Sequence, residues 1–152
     1  MSKRRQVRIY VASSWRNLRQ PTVVAALRQE GYLVYDFRMP DLAQHGFSWA
    51  EVDQDWKRWT PGEFRDALQH PAAKRGFNFD MHALEAADVT VLVLPCGRSA
   101  HLELGYAAGK GQLTFVLCDS VLDEAELMYL MNTRVCLDVP ELVECINEQV
   151  QD

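Results

Sequence analysis

"VTVLVLPCGRSAHLELGYAAGKGQLTFVLC", residues 89–118, sets a segment of helical spacing between two apolar runs of strand length, "VTVLVL" (89–94) and "LTFVLC" (113–118). This is the sequence form of a strand–helix–strand unit, whose strands lie parallel in one sheet. Similar apolar runs stand at "VRIYVA" (7–12), "YLVYDF" (32–37) and "RVCLD" (134–138). Helical patterns separate them: one beginning near Pro21, a long one ending near Ala87, one from Ser99 to Gly109, one in "DEAELMYLM" (123–131) and a last in "PELVECINEQV" (140–150). Five strands with helical crossovers predict an α/β fold, a three-layer α/β/α sandwich around a five-stranded parallel sheet, flavodoxin-like or Rossmann-like. Ligands of such sheets bind at the carboxyl ends of the strands, so chemistry is expected just after Ala12, Phe37, Leu94 and Cys118.

With 152 residues, 48% of them apolar, the chain is long enough for one domain spanning 1–152 and too short to expect two. A net charge of −5 gives no basic field for a nucleic-acid polymer, and the one basic run, "KRR" (3–5), reads as a solvated end. The N-terminus lacks the apolar stretch of a signal peptide, and no apolar run approaches the ~20 residues that span a bilayer. A soluble, cytoplasmic protein without membrane contact is expected. Cys96, Cys118, Cys136 and Cys145 form no CxxC pair, and His45, His70, His82 and His101 show no ligand spacing, so the reading is of reduced thiols, no metal and no cofactor.

Three places carry candidate chemistry. In "YVASSWRN" (10–17) the residues Ser13, Ser14 and Arg16 follow the first strand, where N–H groups and a helix start can hold an anion, although Ser-rich turns of this kind are commonly plain caps. Asp80 shares a helix face with Ala73, Phe77, Leu84 and Ala87. A buried carboxylate on an apolar stripe needs a partner or a cleft, so Asp80 is either a structural ion-pair residue or a functional acid. Glu103 is the single carboxylate in residues 95–111. With Ser99 as the expected cap it lies near the end of the first helical turn. Ser99, Ala100 and Ala107 beside it leave room for another molecule, and the helix dipole favours its ionised form. Leu102, Gly105 and Gly109 share another face, expected to pack onto the sheet.

Taken together, "IYVASSWR" (9–16), "FDMHALEAADVTVLVLP" (79–95) and "GRSAHLELGYAAGKG" (97–111) resemble the nucleoside 2-deoxyribosyltransferases and the related nucleoside monophosphate N-glycosidases. The resemblance spans most of the chain in the right order, and its Glu-Leu-Gly-Tyr-Ala core is the most specific part. It implies that Glu103 is the nucleophile at the anomeric carbon, that Tyr10 lies beside that carboxylate, and that Asp80 contacts the sugar or serves the leaving base. It implies a 5′-phosphate site at Ser14 and Arg16, substrate contacts at Gly97 and Ser99 on the approach to the glutamate, and contacts across a subunit interface from Met128 and Asn132. Two features depart from the family pattern: the longer approach "CGRSAHLE" (96–103) and a Trp-bearing insertion at about 38–76.

Breaking an N-glycosidic bond builds positive charge on the sugar, which an ionised carboxylate stabilises and can trap covalently, while a second acid assists departure of the base. Water then gives hydrolysis and a second base gives transfer, a choice the residues leave open. Presence of Arg16, a bidentate grip for phosphate, inclines the reading toward hydrolysis of a nucleoside monophosphate. A non-catalytic nucleotide-binding module and a partner-binding protein using "ELMYLM" (126–131) are the competing classes. Within the insertion, Trp49, Val52, Trp56 and Trp59 recur at helical spacing, and "TPGE" (60–63) reads as a capping box with Pro at the first helical position. The run "LMYLM" (127–131) carries more apolar surface than one core can cover, so a homodimer or higher oligomer is expected.

Overall fold

In the computed structural model, which describes residues 6–40 and 46–151, every expected strand is present within one to two residues of its predicted bounds. The readings of "KRR" (3–5) and of His45 lie outside the described residues. The strands are β1 (Arg8–Ala12), β2 (Leu33–Asp36), β3 (Val89–Val93), β4 (Leu113–Leu117) and β5 (Arg134–Cys136), all parallel in the order β2-β1-β3-β4-β5. The principal helices are α1 (Gln20–Gln29), α2 (Pro61–Ala67), α3 (Pro71–Ala86), α4 (Arg98–Gly109) and α5 (Val139–Val150). The chain divides into two compact units, one reaching to Asp36 and resuming at Leu84, the other Phe37–Ala83.

The first unit is the α/β sandwich. Alternation along the strands sends Ile9, Val11, Val89, Val91, Val93, Phe115 and Leu117 to one face, where Val23 and Leu27 of α1 and Leu142 and Ile146 of α5 complete the core. On the opposite face α4 packs across β1, β3 and β4 through Ala100, Leu104 and Ala107, all buried. That buried strip corrects the sequence reading of this helix. Leu102 is 74% exposed, and a Cβ at Gly105 or Gly109 would meet nothing within 4 Å, so their face looks away from the sheet. The alanines win because small side chains two turns apart let the helix axis approach strands that already carry Tyr10 and Leu92.

Two further expectations are corrected in the loops. Residues 123–131 form no α-helix but a single 3-10 turn, Leu127–Met131, because Glu126 takes the Met128 N–H on its own side chain and Asn132 is extended. The exposed Leu127, Met128, Leu130 and Met131 result. Likewise the tryptophan stripe is not one helix but two 3-10 turns, Trp49–Glu51 and Trp56–Arg58. Asp53 breaks it: its carboxylate accepts the Asp55 N–H at 2.9 Å and the Trp59 indole N–H at 2.8 Å. Those bonds hold the Asp53 carboxyl below the usual carboxylate range.

Within the second unit Trp49 is the centre of an aromatic cluster, edge-on to Phe47 (4.8 Å between centroids), Trp59 (5.6 Å) and Phe64 (6.0 Å). The expected capping box is formed, with Thr60 and Glu63 exchanging hydrogen bonds and Pro61 opening α2. The α3 stripe is discontinuous: Phe77 is 64% exposed, whereas Ala73 and Leu84 are buried. Phe47 instead closes on Gly76, where an added Cβ would stand 2.7 Å from the Phe47 Cβ. Gly76→Ala therefore destabilises the second unit by about 1–2 kcal/mol: the overpacking cost exceeds the roughly 1 kcal/mol of helix propensity gained. The check is chemical unfolding followed by tryptophan fluorescence.

Candidate active site

Parallel strands end their hydrogen-bond ladder at the carboxyl edge, and in this sheet the order reverses between β1 and β3, which makes the space above those two strands the crevice for a ligand. The last paired residues there are Ala12 and Leu92. Beyond them the β1–α1 turn is held to the β3–α4 loop by side chains. Ser13 Oγ donates to the Val93 carbonyl at 2.9 Å, and Asn17 Nδ2 donates to the same carbonyl at 3.1 Å and to that of Pro95 at 3.0 Å. Asn17 Oδ1 accepts the N–H groups of Arg19 (2.7 Å) and Gln20 (3.1 Å), so this residue also supplies the acceptor that starts α1. Ser14 Oγ accepts the Arg16 N–H at 3.2 Å, and the Arg16 side chain is exposed to solvent.

Two more links tie the edge together. Arg19 pairs with the largely buried Asp119 just after β4, and Gln20, fully buried, donates to Asp36 at the end of β2 at 2.9 Å. None of Asn17, Gln20, Asp36 or Asp119 was singled out from the sequence. Asn17 alone had a legible signal, an Asn three residues ahead of a Gln-Pro helix start in "SWRNLRQP" (14–21).

Tyr10 is wholly buried in β1, stacked on Tyr35 with 5.2 Å between ring centroids. Gly97, not Ser99, is the N-cap of α4, and no side chain caps the helix; Ser99 is an exposed second residue. An extended glycine there leaves the first-turn N–H groups open, which a serine hydroxyl would have occupied. Glu103 therefore sits in the second turn, half-buried, one step round the helix from the Ala100 and Ala107 strip. Its charge reaches back to the β3–α4 loop: the Cys96 thiol is pushed up to about 12 by burial and, secondarily, by Glu103.

On the opposite flank of α4, His101 faces away from Glu103, as expected for residues two apart. Its Nδ1–H donates to the Gly97 carbonyl at 2.7 Å and its Nε2 accepts from the Tyr129 hydroxyl at 2.8 Å, with the two rings stacked at 5.8 Å. Burial, then the negative charge that Cys96, Glu126 and Cys118 carry when ionised, pushes that phenol up to about 12, so it stays a donor. The pair draws the 3-10 turn carrying Met128, and Asn132 just after it, toward the start of α4. Asn132 Nδ2 donates to the Tyr129 carbonyl at 3.2 Å, and Met128 is exposed. A cleft of about 830 Å3 opens here, lined by Cys96, Gly97, Arg98, His101 and Tyr129. Asp80 belongs to the second unit, half-buried on α3, where it lines a cavity of about 260 Å3 with Glu51, Arg75, Phe47 and Phe79. Among the described residues no helix is long and apolar enough to cross a membrane.

A parallel sheet in flavodoxin order, with a polar turn and a carboxylate-bearing helix at its switch point, belongs to the α/β folds whose ligands bind outside the carboxyl ends of the strands. Solved structures share it. The chain matches a 2-deoxyribosyltransferase from the psychrotolerant bacterium Bacillus psychrosaccharolyticus with a TM-score of 0.62 at 17% identity, covering 90% of each chain. It matches a conserved protein of Enterococcus faecalis V583 (TM-score 0.57, 15% identity, 95% of this chain and 99% of that one). It also matches the CMP N-glycosidase BcmB of Clostridium botulinum (TM-score 0.50, 15% identity, 92% and 98%). The sequence matches no family model and no curated protein. The fold is thus the one the sequence resemblance implied.

The Cys96–Glu103 interaction gives a test that needs no substrate. At pH 8 a thiol raised to about 12 supplies only roughly one thiolate in ten thousand, so Cys96 alkylates far more slowly than an ordinary exposed cysteine. Removing the charge with Glu103→Gln lowers that pKa and accelerates Cys96 alkylation, read by mass spectrometry of the peptide, whereas burial keeps it slower than a free thiol.

Proposed function

We propose that the protein cleaves the N-glycosidic bond of a nucleoside 5′-monophosphate through Glu103, with water resolving the glycosyl intermediate. One observation supports the reading: the bonds of Ser13 and Asn17 hold the turn bearing Ser14 and Arg16 against the loop that leads into the Glu103 helix, and the proposal takes that turn as the anion site and Glu103 as its neighbouring carboxylate. In this reading the Glu103 carboxylate attacks the anomeric carbon as the carbon–nitrogen bond breaks, and the leaving base takes up a proton from a general acid. Water then attacks the glycosyl ester and releases sugar phosphate. Arg16 and Ser14 hold the phosphate, and that remote binding energy fixes the sugar over the carboxylate. Tyr10, buried and stacked on Tyr35, offers a rigid wall. Gly97, by leaving the α4 N-terminus open, and Ser99 beside it complete the substrate contacts, and Met128 and Asn132 are assigned to an interface between two copies of the chain. Kinship in fold with a 2-deoxyribosyltransferase and a CMP N-glycosidase supports glycosyl chemistry as the class.

The reading is tested by incubating deoxynucleoside and ribonucleoside monophosphates, the matching nucleosides and a dinucleotide with the protein, with and without excess of a different free base. Sugar phosphate and free base in both conditions are expected; a new nucleotide formed only with the added base makes the enzyme a transferase, and no release from any substrate rejects the glycosidase. Glu103→Ala is expected to lower kcat by at least about 1,000-fold while leaving the fold intact. Arg16→Ala is expected to weaken monophosphates at least about tenfold more than nucleosides, as loss of a charge-assisted bidentate contact requires.

A further inference from the structure

Asn17 lies in the hydrogen-bonding gap where the β1–β3 ladder has ended. It is 3% exposed, and its carboxamide uses both N–H groups on the carbonyls of Val93 and Pro95 and its oxygen on the N–H groups of Arg19 and Gln20. Those four bonds fix its orientation, since the reverse placement would set oxygen against two carbonyls. With the Ser13 hydroxyl, also on the Val93 carbonyl, it continues the sheet's cross-strand bonding past Ala12 and Leu92 into the two loops. The partners are 76 and 78 residues away in sequence, so no local turn preference sets this spacing. Glutamine alone carries the same carboxamide, one methylene further from the backbone; aspartate has no donor, serine has one and a shorter reach, and alanine leaves two buried carbonyls and two helix-start N–H groups unmatched.

We propose that Asn17 is a positioning residue that registers the Ser14–Arg16 turn to the β3–α4 loop, so that an anion bound on the turn is held at a fixed distance from Glu103. The proposal rests on the glycosidase reading for its kinetic consequence but not for its structural one. Asn17→Asp is the informative variant because it keeps the acceptor that starts α1 and loses both donors to Val93 and Pro95; Asn17→Ser is its companion. An error of ~1 Å between bound substrate and catalytic group can cost about 100-fold. In both variants kcat for a nucleoside monophosphate is expected to fall by about that factor, while the matching nucleoside, which does not use the turn, loses less than about threefold. Equal losses on both substrates would overturn the positioning role, as would failure of both variants to fold by circular dichroism.

Amide hydrogen exchange separates this proposal from the activity it rests on. In the variants, amides 96–98 are expected to exchange at least about tenfold faster while those of Val89–Val93 keep wild-type rates, because only the brace beyond the ladder is lost. Wild-type protein that releases no base from any substrate rejects the glycosidase reading alone. Unchanged exchange at 96–98 rejects the brace, whatever the activity.

Discussion

The reversal of strand order between β1 and β3 is the constraint on which the molecule depends. A parallel strand cannot turn back on itself, so each chain end at the carboxyl edge must leave over one face or the other. After β1 the chain goes to the face shared by α1 and α5, and after β3 it goes to the face covered by α4. The two departures part the loops and open a crevice in which backbone groups lose their ladder partners. Polar side chains must then take the place of the ladder, and Ser13 and Asn17 do so. A crevice of this kind is polar for a structural reason before it is polar for a chemical one.

Electrostatics at the edge follows from the same opening. Acidic groups concentrate there, yet each is treated differently. Asp119 is paired with Arg19 and Asp36 receives a hydrogen bond from Gln20. Glu103 lies on the flank of a helix whose first turn is left open by Gly97. A thiol beside it is held protonated, and the phenol of Tyr129 likewise, so near the start of α4 the neutral forms of Cys96 and Tyr129 persist through the physiological range. Such surroundings keep Cys96 a thiol rather than a thiolate.

Much of the first unit was legible because strands buried on both faces are near-continuous apolar runs, as in "VTVLVL" and "LTFVLC". Glu103 stands out against an ordinary surface glutamate near a helix N-terminus because it follows a strand's carboxyl end and is set among small residues. What failed were readings in which periodicity stood in for packing. Leu102, Gly105 and Gly109 share a face, but Ala100, Leu104 and Ala107 bury theirs, and three-residue spacing cannot choose between two such strips. Trp49, Val52, Trp56 and Trp59 have helical spacing too, but Asp53 spends its carboxylate on local backbone and indole groups and ends the helix. Asn17 was passed over because its importance lies in partners more than seventy residues away, which no local pattern encodes.

Tryptophan distribution has an optical consequence. Of the four indoles in the chain, Trp49, Trp56 and Trp59 lie in the second unit and Trp15 alone in the first, exposed in the β1–α1 turn. Near-ultraviolet emission is consequently dominated by the aromatic cluster around Trp49, and the five-stranded sheet is nearly silent in that channel. Trp15, one residue from both Ser14 and Arg16, is the exception: with the other three replaced by phenylalanine, the protein carries a single native indole, in the β1–α1 turn, whose emission reports on that turn alone.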